Sequence, residues 1–336
     1  MDLGCGMSSV SVAIATFNRS AMVAEAVAGA LGQSRAPSEV VVSDDASTDE
    51  TPSVLQQLSG RDPRVRVLRQ QSNSGGVENW NRAMQATTGA YIAWCSDDDV
   101  FEPGHLQASL DYLERHPAVD LVHSSFADRV ELPAGGGNTT YRPLRSPEPL
   151  LLDHESLLWY MTRYYNWPFH PSTMVMRRKV WECTGPFDPS YALADTDWFV
   201  RAGERFSIVL LPRHGVLNRR HAGNWSNRLG SARMQAEIFE IVEGVIARRW
   251  PSWSIEKTLW RAIWRTNARV RLLLTLRARI RNGNADAAAA AWQGLARNTG
   301  RTIPAWLARW GERSIRWSAG RRRAGFDDAR QAVSPL

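Results

Sequence analysis

Three adjacent carboxylates, Asp97, Asp98 and Asp99, are the residues of this chain whose type and spacing best suit chemistry. They directly follow the apolar stretch Tyr91–Cys95, which predicts a buried strand. In open α/β sheets, ligands bind beyond the carboxyl ends of the strands. Three neighbouring carboxylates repel one another, and a divalent cation such as Mg²⁺ or Mn²⁺ would relieve that repulsion. The simpler alternative is a polar turn in front of a helix that is predicted to begin near Gly104.

Two earlier predicted strands also end in residues that could contact a ligand. Thr16 and Arg19 lie at the carboxyl end of the first of them, and Asp44 and Asp45 follow the second. Because the carboxyl ends of parallel strands lie at the same edge of a sheet, we expect these side chains near the three acids. This convergence favours a ligand site over a solvated turn.

The elements that must position these residues alternate regularly through the first hundred residues. This alternation predicts βαβ units and an α/β fold of the Rossmann type, with a mostly parallel sheet flanked by helices. The second helix is expected to begin with a capping box formed by Ser47 and Glu50. The predicted strands are Val10–Phe17, Glu39–Ser43, Val65–Gln70 and Tyr91–Cys95, and the predicted helices are Ser20–Gly32, 47–58 and Val77–Ala86.

A second group of elements is predicted between residues 101 and 228. Asp195 and Asp197 lie near the start of one of its helices, where acids suit the helix dipole. The predicted helices are Gly104–His116, Leu151–Tyr165 and Trp198–Arg205, the strands are Val119–Ser124, Pro171–Met176 and Phe206–Leu211, and the loops are Leu132–Pro149 and Arg219–Ser226.

The composition is that of a globular protein of one large or two ordinary domains. The 336 residues are 43% hydrophobic and 22% charged. Three cysteines without CxxC spacing indicate neither a disulfide framework nor a zinc site, which fits a reducing compartment. We also expect neither a signal peptide nor a membrane-spanning helix. The expected location is cytoplasmic, with the inner face of the membrane as a place of peripheral attachment.

The C-terminal region is strongly basic and rich in tryptophan. From Glu256 to Leu336 there are 17 basic and 5 acidic residues, a net charge of +12, which leaves −5 for the rest of the chain. Of the 15 tryptophans, 8 lie from Trp250 onward, including Trp306, Trp310 and Trp317. The pattern beyond Ser231 predicts helices to about residue 297. Such helices suit an anionic membrane interface, whereas the plainer interpretation is that the tryptophans pack and the arginines face water.

Other interpretations of the sequence remain open at this stage. The opening Asp2–Gly6 (DLGCG) resembles the glycine-rich loop of S-adenosylmethionine-dependent methyltransferases, although that loop should follow a strand. The basic C-terminal region could belong to a non-catalytic protein that binds anions or nucleic acid, but it carries no recognised nucleic-acid motif. A nucleotidyltransferase would need a glycine-rich phosphate loop after the first strand, and none is present there.

Six segments, in order, resemble the family 2 glycosyltransferases, which use nucleotide-sugar donors and have the GT-A fold. These are VSVAIATFNR, VVSDDASTDET, NSGGVENWNRAMQATTGAYIAW, SDDD, GPFDPSYALADTDWFVRAGERF and RRHAGNWS. The resemblance implies a glycosyltransferase domain over 10–228, of which 10–100 bind the nucleotide and 101–228 the acceptor. Residues 1–9 would be irregular, and 229–336 would form the basic helical region.

The resemblance implies an inverting transfer from a nucleoside diphosphate sugar to an acceptor hydroxyl, in bacterial-type glycan or glycoconjugate synthesis. It assigns the general base to Asp195 and the Mn²⁺ or Mg²⁺ ligands to the acid motif and the Arg/His loop. Thr16, Arg19, Asp44, Asp45, Asn73, Asp97 and Arg220 would bind the nucleotide sugar, and Asp98, Asp99 and His221 would hold the metal. The acceptor would be a glycan, a lipid-linked species or a small molecule.

Two departures from the family pattern leave the roles of the acids open. Ser96 stands where the metal motif usually has its first acid, so the working triplet is either Ser96–Asp98 or Asp97–Asp99. Asp98 belongs to both and is the preferred metal ligand. Ala194 stands where the acceptor segment usually has glutamate, and Asp195 then falls at the position of the expected base.

Overall fold

The computed structural model divides the chain into two compact units. The first comprises Met1–Leu157 and Trp167–Asn224, and the second comprises Leu158–Asn166 and Trp225–Leu336. The structure describes residues 9–131, 137–141, 147–153, 156–157, 170–221, 223–224 and 231–266. The opening DLGCG segment therefore lies outside the described residues. The domain limits expected from the sequence stay predictions.

The first half of the sheet in the first unit is parallel, as the alternation predicts. Its strand order is β3-β2-β1-β4, and every neighbouring pair is parallel. Small branched side chains suit these strands because helices cover both faces, and all seven residues of β1 are buried. The elements are β1 Val10–Thr16, α1 Ser20–Leu31, β2 Glu39–Asp44, α2 Thr51–Arg61, β3 Val65–Arg69, α3 Gly76–Gln85 and β4 Tyr91–Ser96.

The second half of the sheet is mixed. From β4 the order continues β9-β6-β10-β5, with β7 beside β6 and β8 beside β10. Both β4 and β6 are antiparallel to β9, and β10 is parallel to β6, so β10 runs in the same direction as β4. The end of β10 therefore reaches the edge at which β1, β2 and β4 end. The strands are β5 Asp99–Phe101, β6 Leu121–Glu131, β7 Gly137–Tyr141, β8 Leu150–Leu152, β9 Met174–Arg177 and β10 Ile208–Arg220.

The helices of this half are α4 His105–Arg115, α5 Arg178–Thr184 and α6 Ala194–Gly203, with a 3₁₀ turn at Pro171–Thr173. The mixed α/β architecture confirms the predicted fold class. One helix prediction and one strand prediction nevertheless need correction. The helix predicted to start at Leu151 is wrong at its beginning, because Leu150–Leu152 pair with β10. The strand predicted over Pro171–Met176 begins only at Met174.

Two predicted loops contain strand residues. Within Leu132–Pro149, Gly137–Tyr141 form β7 and pair with β6. The predicted Arg219–Ser226 loop is wrong at its start, because Arg219 and Arg220 are the last residues of β10. In both places a polar sequence is held extended by pairing with β6, a long-range contact that local composition does not reveal.

The capping box predicted for α2 is also wrong. The hydroxyl of Ser47 accepts a hydrogen bond from the backbone N–H of Asn18 at 2.8 Å instead of capping the helix. The helix begins at Thr51, whose N–H donates to Oδ1 of Asp49 at 2.9 Å. Asn18 has a φ of 52°, so the turn after β1 brings its N–H to Ser47. The serine thus joins the first two strand ends together.

An aromatic cluster anchors α6 to the sheet. Phe187 is fully buried and lies 4.8 Å from Trp94 of β4 and 5.5 Å from Trp198 of α6, measured between ring centroids. Asn81 fixes the same residue by accepting from its N–H and donating to its carbonyl oxygen. The cluster therefore sets where the first turn of α6, with Asp195, lies on the sheet.

Replacing Phe187 with alanine is expected to lower the free energy of unfolding by about 3–5 kcal/mol, because the cavity would sit among rigid indole rings. Urea unfolding followed by circular dichroism would measure this loss. Phe17→Ala is the control, since that ring is 41% exposed and its loss should change stability by less than about 1 kcal/mol. Equal effects of the two substitutions would contradict the assigned role of the cluster.

The described part of the second unit is helical. It contains α7 Ser231–Arg249 and a further helical stretch over 255–266. Glu243 of α7 pairs with both Arg261 and Arg265, each at 3.0 Å, which ties the two helical stretches together. Within the described residues, no helix combines the length and the apolar character needed to cross a bilayer. The helix prediction beyond residue 266, with its tryptophans, lies outside the described residues.

Candidate active site

Asp97 and Asp98 form the short connection between β4 and β5 at the carboxyl edge of the sheet, and Asp99 begins β5. Asp97 is buried, and its Oδ2 accepts a hydrogen bond from the Thr16 hydroxyl at 2.8 Å. Its Oδ1 accepts from the guanidinium of Arg19 at 2.7 Å. Burial, opposed by the Arg19 charge and reinforced by the adjacent Asp98, raises the pKa of Asp97. The sheet thus brings the ends of β1 and β4 together, as the sequence predicts.

Asp98 collects donors from three places in the chain. Its Oδ2 accepts from Arg19 at 2.7 Å, from Nε2 of His221 at 3.2 Å and from the side-chain amide of Asn224 at 3.2 Å. Burial alone would raise the pKa of Asp98, but the His221 hydrogen bond and the Arg19 charge outweigh it and lower the pKa to about 2. Asp98 is therefore an ionised carboxylate in a buried, cation-lined position.

Asp99 has a different environment because it is the first residue of β5. Its side chain is fully buried, and Oδ2 accepts a hydrogen bond from the Ser172 hydroxyl. Oδ1 faces the backbone N–H of Arg219 at 3.3 Å, and Nδ1 of His170 lies 3.4 Å from Oδ2. Burial and the neighbouring Asp98 raise the pKa of Asp99 to about 8. This carboxyl group is built into the protein beneath the other two acids.

Arg219 holds the acid connection against the first helix. Its Nε donates to the backbone carbonyl of Asp98 at 2.6 Å, while its guanidinium also binds Glu25 at 2.8 Å and the carbonyl of Met22 at 3.1 Å. Arg219 is only 5% exposed, so its contact with the Asp98 carbonyl is shielded from solvent, whereas its Glu25 partner is largely exposed. Arg219 therefore fixes the backbone that presents Asp98.

Asp44, the last residue of β2, and Asp45, which follows it, support neighbouring loops. Asp45 accepts three hydrogen bonds, from the N–H and hydroxyl of Ser74 at 2.8 and 2.9 Å and from the N–H of Gly75 at 2.9 Å. Asp44 accepts from the N–H of Ser47 at 3.1 Å through Oδ1. Its buried Oδ2 lacks a hydrogen-bond partner among the described residues, although Arg69 lies 3.9 Å away. Of the pair, Asp44 is thus the one with an acceptor to spare.

Asn73 lies in the loop that Asp45 holds. Its Oδ1 accepts from the N–H of Gly75 at 3.2 Å, and its amide nitrogen lies 3.4 Å from the carbonyl oxygen of Asp45. The backbone N–H of Asp45 donates a hydrogen bond to the carbonyl oxygen of Thr16 in β1 at 3.1 Å. These contacts connect Asn73 and Asp45 to the edge that carries Thr16 and Asp97.

Asp195 lies in the first turn of α6, and its carboxylate Oδ1 accepts from the N–H of Thr196 at 2.7 Å. Burial raises its pKa, and His170 partly offsets that rise. Asp197 instead forms an ion pair with Arg201 at 2.8 Å, one turn along the same helix. Of the two acids, Asp195 therefore suits proton transfer and Asp197 suits a structural role.

His170 links the acceptor-side acid to the acid triplet. Burial lowers its pKa to about 4, while the charges of Asp98 and Asp195 both act against that shift and the charge of Arg220 adds to it. The imidazole lies against Phe126, with ring centroids 5.1 Å apart. Asp98, Asp195 and Arg220 thus all lie close enough to His170 for their charges to affect its pKa.

The comparisons with known proteins agree with this geometry. The model of the glycosyl transferase family 2 matches residues 11–185, just over half of the chain. The chain belongs to glycosyl transferase family 2. Its membership of this family, predicted from the sequence, is thereby confirmed, and neither the methyltransferase nor the non-catalytic alternative gains support.

Similar sequences and solved structures of similar fold support this family membership. An uncharacterized protein of Mycobacterium tuberculosis is 30% identical over 230 residues, which cover 65% of this chain and 60% of that protein. S. aureus TarS 1–349 in complex with UDP-GlcNAc has a TM-score of 0.62 at 15% identity, covering 94% of this chain and 92% of that chain. A Pyrobaculum calidifontis mannosyltransferase, PcManGT, in complex with GDP-Man and Mn²⁺ has a TM-score of 0.52 at 17% identity, covering 94% and 85%. These likenesses confirm the GT-A fold.

The side chains at the acid edge suit a metal cation whose coordination is completed by substrate oxygens. The described residues contain no group of three or more His, Cys, Asp and Glu that could hold a metal ion. Asp98 and His221 nevertheless offer one carboxylate oxygen and one imidazole nitrogen at the same point. Mg²⁺ sites that use one or two carboxylates are typically completed by substrate phosphates. The residues therefore fit a cation that a diphosphate completes.

Several residues of the site were missed by sequence reasoning. His170, Ser172 and Asn224 contact the acid triplet, and Arg219 holds its backbone. Asn224 lies within RRHAGNWS, a segment singled out in the sequence, so its type and place could have suggested it. His170 and Ser172 lie more than 70 residues from Asp99, and no local pattern marks them.

The buried carboxyl of Asp99 predicts a distinctive pH dependence of stability. A carboxyl whose native pKa is raised from about 4 to about 8 stabilises the fold below pH 4, and that contribution is lost as the pH rises through 8. Asp99→Asn mimics the protonated acid. Its free energy of unfolding, relative to that of the parent chain, should therefore be higher at pH 8 than at pH 5 by at least about 1.4 kcal/mol. Urea unfolding at both pH values measures this change.

The control for this prediction is Asp188→Asn. Asp188 is exposed, and hydrogen bonds from Ser190 lower its pKa, so its contribution changes only in acid. Its substitution should therefore have the same effect at pH 5 and pH 8. A pH-independent effect of Asp99→Asn would show that Asp99 is ionised in the folded protein.

Proposed function

We propose that this chain transfers a sugar from a nucleoside diphosphate sugar to an acceptor hydroxyl with inversion at the anomeric carbon. The observation that carries the proposal is the meeting of Asp97, Asp98, Arg19 and His221 at one sheet edge in a family 2 chain. The proposal extends to a role in bacterial-type glycan or glycoconjugate synthesis. This chain spans only 60% of the length of its M. tuberculosis relative. The sugar donor and the acceptor are therefore part of the proposal.

Donor binding is assigned to the edge formed by β1, β2 and β4. Thr16, Arg19, Asn73 and Asp97 face or support this edge. Asp44 ends β2 and Asp45 follows it, and the unpaired oxygen of Asp44 would contact a base or ribose hydroxyl. TarS and PcManGT, which share the fold of this chain, are solved with UDP-GlcNAc and GDP-Man, which supports a nucleotide-sugar donor. Arg220, close enough to His170 to affect its pKa, would contact the diphosphate.

Asp98 and His221 would hold a Mn²⁺ or Mg²⁺ ion together with the diphosphate. When bound, such an ion stabilises the negative charge that develops on the leaving diphosphate. The Mn²⁺ in the PcManGT complex supports this part of the proposal. The family resemblance implies Asp99 as a third metal ligand. Its contacts with Ser172 and Arg219 instead suit a supporting role beneath Asp98.

Asp195 would act as the general base. Its Oδ1 is occupied by the N–H of Thr196, so we assign proton acceptance from the acceptor hydroxyl to Oδ2. Burial raises the pKa of this carboxylate, which makes it a stronger base than an exposed aspartate. The acceptor oxygen would then attack from the face opposite the diphosphate.

The positive charge of the C-terminal region is the basis for proposing an acceptor and a cellular location. The basic C-terminal region would favour an anionic surface, so we propose a cytoplasmic enzyme that makes peripheral contact with the inner face of the membrane. A lipid-linked or glycan acceptor would then be within reach. Nucleic acid is not expected as a partner.

A donor screen tests the proposal. Thermal unfolding would be followed with UDP-, GDP- and dTDP-sugars, each with Mn²⁺, with Mg²⁺ and with EDTA. We expect one nucleotide class to raise the midpoint in the presence of a divalent cation and to lose most of that effect in EDTA. No stabilisation by any of these donors under any of the three conditions would overturn the proposed function.

A further inference from the structure

The guanidinium of Arg19 lies where a cation would have to bind. Its NH1 nitrogen is 2.7 Å from Oδ1 of Asp97 and 2.7 Å from Oδ2 of Asp98, so one nitrogen bridges the two carboxylates. Its NH2 nitrogen donates to the carbonyl oxygen of Gly223 at 2.9 Å. The arginine thus neutralises the acids and at the same time ties down the segment that carries His221.

We propose that Arg19 is an internal counter-cation that competes with the divalent ion for Asp98 and is displaced when metal and nucleoside diphosphate bind together. This inference rests on the proposed function, and it adds a role that the resemblance does not assign to this arginine. In the metal-free protein, Arg19 replaces the ion electrostatically. In the complex, its guanidinium moves to the diphosphate oxygens, which are equally good acceptors for a planar fork of donors.

The hydrogen bonds around Asp98 support competition. Oδ2 already accepts from Arg19, His221 and Asn224, so its lone pairs are used before an ion arrives. The Nδ1 atom of His221 accepts from the N–H of Gly223 at 3.1 Å, which indicates that Nε2 carries the proton. A metal ion bound by Oδ2 of Asp98 and Nε2 of His221 must therefore displace Arg19 from that oxygen and change the tautomer of His221.

The same contacts predict that metal and nucleotide bind cooperatively. An ion that arrives alone must leave the Arg19 charge without its carboxylate partners in a position that is only 22% exposed. A nucleoside diphosphate supplies new acceptors for that charge, so each ligand should increase the affinity for the other by the same factor. Removal of Arg19 takes away the competition and with it most of this coupling.

The test is a measurement of Mn²⁺ affinity by electron paramagnetic resonance, with and without UDP or GDP. Arg19→Gln should bind Mn²⁺ alone at least about fivefold more tightly than the parent chain, and its enhancement by the nucleotide should shrink by a similar factor. Arg19→Lys, which keeps the charge but cannot bridge Asp97, Asp98 and Gly223 at once, should give an intermediate affinity. Circular dichroism of each variant verifies the fold.

The matched control is Arg35→Gln. Arg35 is also buried and also lies between two carboxylates, 2.6 Å from Glu114 and 3.8 Å from Asp111. Its substitution should leave Mn²⁺ affinity within about twofold. If it tightens Mn²⁺ binding as much as Arg19→Gln does, the effect is one of net charge and the proposal is overturned.

Failure of this inference can be distinguished from failure of the proposed function. If the parent chain binds Mn²⁺ with UDP or GDP but Arg19→Gln shows unchanged or weaker affinity for Mn²⁺ alone, the competition is overturned and the metal role stands. If Mn²⁺ binds to neither chain, with or without these nucleotides, both the competition and the metal role are overturned. Should Arg19→Gln fail to fold, Arg19→Lys decides, since an affinity equal to that of the parent overturns the proposal.

Discussion

Replacing Asp195 with asparagine is expected to reduce kcat by about 10²–10⁴-fold while donor affinity stays within about twofold. Asparagine keeps the shape of the side chain and can still accept the hydrogen bond from the N–H of Thr196, so the first turn of α6 should persist. It cannot take a proton from the acceptor hydroxyl. Steady-state transfer assays, together with calorimetric titration of the donor, separate the two effects.

The control for this prediction is Asp197→Asn, two residues along the same helix. Asp197 pairs with Arg201, which also donates to the carbonyls of Thr184 and Pro186. Asp197→Asn should therefore lower the thermal unfolding midpoint and leave kcat nearly unchanged. A parallel loss of donor affinity and kcat in Asp195→Asn would contradict the base assignment. So would a kcat loss of equal size in Asp197→Asn.

Replacing Asp98 with asparagine is expected to abolish metal-dependent donor binding and to reduce kcat/KM by about 10²–10³-fold or more. The carboxylate is the one acid of the triplet whose pKa is lowered, so it is charged at every pH at which the protein would be assayed. The amide can retain a hydrogen bond with Asn224, but it offers no negative charge to a cation. Donor titrations with Mn²⁺ and with EDTA measure the effect.

The control for Asp98 is Asp62→Asn, which removes a partly exposed acid that pairs with Arg64 just after α2. Its donor affinity should equal that of the parent chain with Mn²⁺ and in EDTA. Full activity of Asp98→Asn, or full activity of the parent chain in a chelator, would be incompatible with a metal held by this residue.

The parallel half of the sheet could be predicted because its information is local. Continuous runs such as VSVAIAT are apolar enough to be buried on both faces, and each run ends in the polar residue that reaches the ligand edge. β7 and β8 could not be predicted, because Gly137–Tyr141 and Leu150–Leu152 become strands only through pairing with β6 and β10. Their own composition is compatible with a loop and a helix.

The candidate site divides in the same way. The convergence of Thr16, Arg19, Asp97 and Asp98 follows from topology alone, and the structure brings these four into direct contact. Which acid is charged does not follow from the sequence. It depends on burial and on partners such as Ser172 and Asn224, which come from strands and turns far along the chain.

The contact between Arg19 and Gly223 has a consequence for biosynthesis, because it joins residues 204 positions apart. During vectorial translation the β1 turn leaves the ribosome long before the final turns of the domain exist. Asp97 has Thr16 and Arg19 as partners from the start, whereas Asp98 must await Arg219, His221 and Asn224. The acid edge is consequently among the last parts of this unit to be completed, and a nascent chain stalled before residue 219 would lack three of the contacts that hold Asp98.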